Sequence, residues 1–400
     1  MVAERPIRTY LDYNATAPLR REARAAVVAA LDTAGNPSSV HAEGRAARQL
    51  VETARADVGR LAGVPARCVT FVSGATEAAN AALNPRLGLG PAEPPLERLI
   101  VSAGEHPCVL HGHRFPPSAV ETAPLLGDGR IDLDWLADAC RRPGRALLAL
   151  QGANNETGVV QPVAAAAAIV HAAGGFVFCD AVQLAGRVAF SLAGLGADAL
   201  ALSAHKLGGP KGAGALISAS AGTSLGHPLL RGGGQERGVR AGTENVASIA
   251  GFGAAAEIAA IEAADETPRL AALRQRLADA VREAAPDAVE FGRDAPRLAN
   301  TLCFAVPGIE ASTLMIALDL AGVAVSSGAA CSSGKVAPSH VLAAMGVAPD
   351  LARGAIRLSV GWGSTERDVE RFSAAFCAAA RRIRAGRSRV ADLASEAGRV

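Results

Sequence analysis

An α/β fold is predicted for this chain of 400 residues, with a mostly parallel sheet between helices and then a smaller α/β C-terminal domain. Three observations carry the prediction. Half of the residues are hydrophobic and a fifth are charged, which suits buried cores and excludes a disordered chain. Between residues 66 and 216, short apolar runs alternate with small-residue turns and amphipathic stretches, the order of βα units. After about residue 250 this gives way to a long Ala-, Glu- and Arg-rich stretch and a second, shorter αβ region. At ~150 residues per domain the length allows roughly two or three domains.

Taken in order, the N-terminal MVAERPIRTYLDYNATAP carries charges and tyrosines where a secretory leader needs an apolar run. The runs 68–72, 99–101, 146–150, 176–179, 199–202 and 213–217 are each of strand length. Their alternation with helices implies parallel pairing covered on both faces. The stretch 163–173 is low in complexity, but alanine is the best helix former, so it reads as a crossover helix. Residues 254–285 form a long helix, 301–305 and 355–360 are strands of the small domain, and the charged tail 381–400 is exposed and frays distally. There is no internal repeat. No stretch of ~18 or more apolar residues runs uninterrupted by Gly, Pro or charge, so no membrane span is expected. A formal net charge of +2 gives no electrostatic reason for a nucleic-acid or membrane-surface partner. Seven cysteines without a CxxC pair argue for reduced thiols in a soluble, cytoplasmic protein.

In parallel sheets, ligands bind outside the carboxyl ends of the strands. Polar and titratable residues gather there: Ser73 to Glu77, Glu105-His106, Asn154-Asn155-Glu156, Asp180 and Ser203 to Lys206. Lys206 alone reads as a surface lysine at a strand end. With Asp180 at another strand end it meets the needs of pyridoxal phosphate, a lysine for the aldehyde and an acid for the ring nitrogen. Ser73-Gly74-Ala75-Thr76-Glu77 follows a strand and opens a helix whose first amides suit a phosphate. Thr76 is also a candidate helix cap. Ser203 and His205 supply further donors.

The motifs LDYNATAP, GNPSSVHAEGR, FVSGATEAAN, ANNETGVVQP, DAVQ, SAHKLGGPKGAGAL, RGGGQERGVRAGTENV, VSSGAACSSG and AIRLSVG resemble those of the cysteine desulfurases. These belong to the class V aminotransferase group of fold-type I pyridoxal-phosphate enzymes. The matches follow the family's order from Leu11 to Gly361. The resemblance implies an N-terminal arm, 1–16, packing with the small domain, a large cofactor-binding domain, 17–255, and a small C-terminal domain, 256–400. It implies that Lys206 is the Schiff-base lysine and that Asp180 pairs with the pyridinium nitrogen. Gln183 and Asn155 would bond the ring's phenolate oxygen or steer the substrate amine, and His106 would stack on the ring and move protons. Gly74, Ala75, Thr76, Ser203 and His205 would hold the phosphate. Thr243 would reach the phosphate of the other subunit, which implies a homodimer. Arg357, helped by Asn14, would clamp the carboxylate of the substrate L-cysteine, a task that suits a bidentate guanidinium.

Cys331 sits in a run of small residues, 326–334, expected to form a mobile loop able to carry a thiol into a pocket and out again. In the implied reaction Lys206 removes the Cα proton, Cys331 takes the substrate sulfur as a persulfide, and L-alanine leaves. The sulfur then passes to an acceptor such as an iron–sulfur scaffold protein. The other six cysteines read as small apolar fillers. The C-terminus ADLASEAGRV lacks the tryptophan-containing end that scaffold partners use in some members, which leaves the acceptor open. Ser203-Ala204-His205-Lys206 also fits the S-x-x-K acyl-enzyme motif, but SDN and KTG do not occur. His106, His111 and His113 come without HExxH or CxxC, so no metal is expected. Selenocysteine lyase, a plain C–S lyase, an amino-acid epimerase and a non-catalytic scaffold are the alternatives, and Cys331 favours persulfide formation over them.

Overall fold

The computed structural model describes residues 8–89, 92–220, 228–328 and 338–397, with side chains through residue 386. Its strands are β1 (Thr9–Tyr10), β2 (Val69–Val72), β3 (Arg98–Ser102), β4 (Val120–Ala123), β5 (Ala146–Gln151), β6 (Phe176–Asp180), β7 (Ala199–Ser203), β8 (Gly214–Ser218), β9 (Val289–Glu290), β10 (Thr301–Ala305), β11 (Val323–Ala324), β12 (Ser326–Ser327) and β13 (Ile356–Ser359).

Seven strands form the main sheet in the order β2-β8-β7-β6-β5-β3-β4. From β7 through β4 every pairing is parallel, whereas β8 runs antiparallel to both β7 and β2. β5 (ALLALQ) and β7 (ALALS) are buried at every position, as expected of strands covered on both faces. One apolar layer packs Val58, Ile100, Leu148, Val177 and Leu200 together. The opposite layer gathers Leu99, Val101, Leu147, Ala149 and Phe178. Alternate residues of the same strands thus serve opposite faces. The edge strand β4 (VETA) has no continuous apolar run, so the sequence pattern does not reveal it.

The second sheet, β12-β13-β10-β9, is wholly antiparallel, and β1 pairs in parallel with β11 beside it. Its core holds Leu302, Phe304, Leu358, Phe372 and Phe376, with Leu11 of the N-terminal arm inserted among them. The helix Val246–Ala284 serves both cores. Ile249, Phe252 and Ala256 face the first, Leu270, Leu273 and Leu277 face the second, and Pro268 falls at the handover. The helix starts eight residues earlier than the sequence reading placed it. By length and composition it is apolar enough to cross a membrane, contrary to the expectation of no such stretch. Half of its apolar window is buried, and it packs against the helices Arg21–Leu31 and Ala42–Ala62. The tail also differs: the last helix, Glu366–Ala397, continues through the stretch expected to fray.

The parallel strands point their carboxyl ends to one edge of the main sheet. Ser73, Glu105, Asp180 and Ser203 stand at or just beyond four of those ends.

Candidate active site

A cavity of about 510 Å³ opens at this edge. Lys206 closes a 3₁₀ turn, Ala204–Lys206, straight after β7. Its Nζ donates to two carbonyls of the N-terminal arm, Asn14 O at 2.5 Å and Ala15 O at 2.9 Å. Asp180 ends the neighbouring strand β6, and its Oδ1 accepts the Val182 N–H at 3.0 Å. Burial pushes the Asp180 carboxyl up, and the Val182 N–H, His106 and Lys206 pull it back. A cationic ring placed against this carboxylate would restore what burial removes.

His106 follows β3 and caps the turn Pro107–Leu110, with Nδ1 accepting the Cys108 N–H at 3.2 Å. The neutral ring therefore carries its proton on Nε2. Burial lowers its pKa, Lys206 and His340 lower it further, and Asp180 opposes them. Beside it lies Glu105, which the sequence reading placed at a strand end without assigning it a role. It is fully buried, its Oε1 accepts the Gln151 N–H at 2.6 Å, and its Oε2 has no hydrogen-bond partner among the described residues. Burial, then Asp180, drives the Glu105 pKa well above the usual carboxylate range.

Anion-binding groups collect at the other side of the cavity. The helix Ala75–Ala82 begins at Gly74, not at Thr76 as the capping rule suggested, and has no side-chain cap among the described residues. Its first amides are thus left for a ligand. Among the described residues no heavy atom lies within 4 Å of where a Gly74 Cβ would stand, so they leave the space above the helix start open. Gly214 is forced by the same approach, because a Cβ there would sit 2.6 Å from Gly74 Cα. Ser203, His205 and Lys211 also line the cavity. His205 Nδ1 lies 3.1 Å from Thr16 Oγ1. Burial and the charges of Lys206, Lys211 and Arg187 lower its pKa to about 4, so it is a neutral donor at physiological pH. A lysine, a buried acid and an open helix start fit pyridoxal phosphate in aldehyde, ring nitrogen and phosphate.

Asn155 and Gln183 line the cavity too. Gln183 Nε2 donates to Asn14 O at 3.2 Å, and its Oε1 accepts from the buried Arg187. Arg357 reaches the cavity from β13 and is 1 % exposed. Its guanidinium is not an open fork. One nitrogen pairs with Asp12 at 2.7 Å, another donates to Asn155 O at 2.9 Å, and Nε is buried without a partner among the described residues. A substrate carboxylate must therefore compete with Asp12. Asn14 departs from expectation as well. Its amide N–H groups go to Asn155 O and Thr301 Oγ1, and its Oδ1 accepts from Asn300, so it locks the arm and presents no donor to substrate.

Thr243 is not among the residues that line the cavity. Thr243 lines a neighbouring depression that shares Ser73 and Gly212 with it. Just upstream, Glu236 and Arg237 take left-handed conformations, φ 47° and 58°. Two bonds from the buried Arg55 to Glu236, at 2.6 and 2.8 Å, hold that strained turn. Cys331 lies outside the described residues. Cys108, expected to be a packing residue, lines the cavity.

Next to Asn155, Glu156 is 4 % exposed and accepts a hydrogen bond from Ser339 Oγ at 2.5 Å. Burial raises its pKa from 4.5 to about 7, against Ser339 and Arg357. The folded state therefore binds its proton more tightly than the unfolded state, and stability falls as pH rises from about 4.5 to 7. At 1.36 kcal/mol per unit this costs about 3 kcal/mol at pH 7. Glu156→Gln should gain stability relative to wild type by a few kcal/mol between pH 5 and 7, read by urea denaturation. Parallel pH profiles for the two proteins would refute the assignment.

The sheet order and the lysine–aspartate pair at its edge define the class, a fold-type I pyridoxal-phosphate transferase. A family model for class-V aminotransferases matches residues 9–372. A curated cysteine desulfurase of Cereibacter sphaeroides is 42 % identical over 371 residues, covering 91 % of this chain and 94 % of that protein. Among solved structures, a NifS-like protein from Rickettsia africae superposes with a TM-score of 0.84 at 32 % identity, over 93 % of this chain and 99 % of that one. A structure described as SspA in complex with cysteine has a TM-score of 0.73 at 27 % identity, over 88 % and 98 % of the two chains. The chain belongs to the class-V aminotransferase family and, within it, to the cysteine desulfurases.

Proposed function

We infer that this chain removes sulfur from L-cysteine, yielding L-alanine and a persulfide on Cys331. The observation that carries this reading is the convergence of Lys206, Asp180, His106 and Arg357 on one cavity of the cysteine desulfurase fold. Pyridoxal phosphate, when bound, supplies the electron sink for the substrate's Cα and Cβ electrons. Lys206 and Asp180 would hold its aldehyde and ring nitrogen, and the first turn of Ala75–Ala82 with Ser203, His205 and Lys211 would hold its phosphate.

Lys206 would hold the cofactor aldehyde through its Nζ, and the same amine is the base placed to take the Cα proton of the substrate. Arg357 binds the substrate carboxylate by exchanging its Asp12 partner for it. His106, with Nε2–H as its donor, orients the reacting groups and serves proton transfer near sulfur. The Cys331 thiolate forms a bond to the substrate sulfur as the C–S bond breaks, and a proton goes to the carbon fragment. Cys331 thiol and L-cysteine thus become Cys331 persulfide and L-alanine, with no outside oxidant. The position of Thr243, away from its own cavity, supports a homodimer in which it completes the phosphate site of a second copy. A sulfur-acceptor protein and a cytoplasmic setting, where thiols stay reduced, belong to the same proposal.

The test is stoichiometry. The yellow holoenzyme given one equivalent of L-cysteine should release one alanine and mass-shift Cys331 by one sulfur. Pyruvate and ammonia, or free sulfide with no modified Cys331, would instead indicate a plain C–S lyase.

A further inference from the structure

Of the four buried arginines among the described residues, Arg20, Arg55 and Arg357 each pair with a carboxylate, that of Glu262, Glu236 and Asp12 respectively. Arg187, beyond the end of β6, has no carboxylate partner among the described residues and donates only to neutral oxygens. Its Nη1 bonds the main-chain carbonyl of Gln183 at 3.0 Å and also the side-chain Oε1 of that residue. Its Nη2 reaches Tyr13 O at 3.5 Å. The charged and titratable groups that face it supply no counterion, being Arg357 from β13 and His205 from the turn after β7. Burial, and then Arg357, lower its pKa. A buried cation without a counterion is costly, and an anion received by the cavity would relieve that cost.

A guanidinium has five donors and no acceptor, so the Gln183 amide must turn its oxygen to Arg187 and its Nε2 away. One Nε2 hydrogen goes to Asn14 O at 3.2 Å, and the other has no partner among the described residues. Lys206 Nζ bonds the same carbonyl at 2.5 Å, which makes the two nitrogens neighbours in the cavity wall. In pyridoxal phosphate the phenolic oxygen sits on the ring carbon next to the one that bears the aldehyde. A cofactor held at its aldehyde by Lys206 would bring that oxygen beside Gln183. With its oxygen committed to Arg187, the amide can only donate there. That suits a phenolate and not the ammonium of a substrate.

We propose that Arg187 is a positioning residue for the cofactor's phenolate, fixing Gln183 as the hydrogen-bond donor and standing behind that amide as the counter-charge. The inference rests on pyridoxal phosphate occupying this cavity, not on which thiol takes the sulfur. Its consequence is a lowered proton affinity at the Lys206 nitrogen once that nitrogen is joined to the cofactor. Loss of the proton leaves the phenolate charge uncompensated, and the buried guanidinium favours the resulting anion. The other groups facing Lys206 are Asp180 from β6, His106 after β3 and His205 beside it, and all three are kept in the variants below.

The test is a pH titration of the visible cofactor band in substrate-free holoenzymes. Arg187→Met removes donor and charge, Arg187→Gln keeps a donor for Gln183 Oε1 without the charge, and Arg187→Lys keeps both. A charge within ~4–6 Å moves a pKa by roughly 1–3 units, and an amide lies between the two groups here. The midpoint should therefore rise by about 1 pH unit in the methionine and glutamine variants. In Arg187→Lys it should stay within about 0.3 unit of wild type. Arg187→Gln also covers the case in which Arg187→Met, with Gln183 Oε1 left unpaired, does not fold. An unmoved or falling midpoint in Arg187→Gln, or an Arg187→Lys midpoint that shifts as far, would overturn the proposal. Wild-type protein that gains no visible band on addition of pyridoxal phosphate would instead overturn the cofactor reading beneath it.

Discussion

Lys206→Ala is expected to abolish turnover and to leave the purified protein without its yellow colour. Two losses combine. The covalent hold on the cofactor aldehyde disappears, and so does the base for the Cα proton, worth about 10²- to 10⁴-fold by itself. In the structure the Lys206 ammonium also bridges the Asn14 and Ala15 carbonyls, so alanine removes a tie between the arm and β7. Lys206→Arg separates these effects. A guanidinium can keep a cation against the two carbonyls, but it stays protonated and is neither nucleophile nor base. That variant should melt near wild type, show no visible band, and turn over at least about 10⁴-fold more slowly. Retained absorbance, or activity within tenfold of wild type, would remove Lys206 from its role.

Lys206 and Asp180 were legible in the sequence because each stands where an apolar run stops, and the runs were long enough to mark strand ends. His106 and the Gly74 turn were found in the same way. What stayed hidden depended on partners far away in the chain. Asp12 meets Arg357 across 345 positions, and no local pattern shows that the guanidinium is already engaged. The resemblance implied Asn14 as a substrate ligand, yet three bonds to Asn155, Thr301 and Asn300 use its amide. Glu105 was placed with His106 at a strand end, but the local sequence gives it no role. Only the fold shows that it is sealed under Gln151, with one oxygen unpaired among the described residues. The helix Val246–Ala284 was cut short for a similar reason. Its first turns are Ala- and Gly-rich and acquire meaning only against the helices they cover.

These buried carboxyls give the cavity an unusual electrostatic setting. Burial raises both carboxyls, and the Asp180 charge raises Glu105 further. Glu105 yields first, because Asp180 has the Val182 N–H, His106 and Lys206 to favour its charge and Glu105 has only the Gln151 N–H. The same charges bear on which thiol can carry sulfur.

Cys331→Ala is expected to bind pyridoxal phosphate and L-cysteine as wild type does but to lose persulfide and alanine formation by at least about 10³-fold, as for removal of an essential nucleophile. The competing candidate is Cys108, a free cysteine in the cavity wall. Sulfur transfer needs a thiolate. Burial, then Asp180, then Glu105 drive the Cys108 thiol far above its ordinary pKa. A negative thiolate there would face the carboxylate that the ring nitrogen requires, so the field that supports the cofactor suppresses this nucleophile. Cys179 is sealed at the end of β6 under the same two acids, and Cys303 is buried in β10. Cys108→Ala should therefore keep persulfide formation within about threefold of wild type, because a small apolar side chain replaces a neutral thiol of similar size. Mass spectrometry of tryptic peptides after one turnover distinguishes the two. Sulfur found on Cys108, with Cys331→Ala still active, would mean that the cavity tolerates a thiolate beside Asp180, and the electrostatic ordering given above would be wrong.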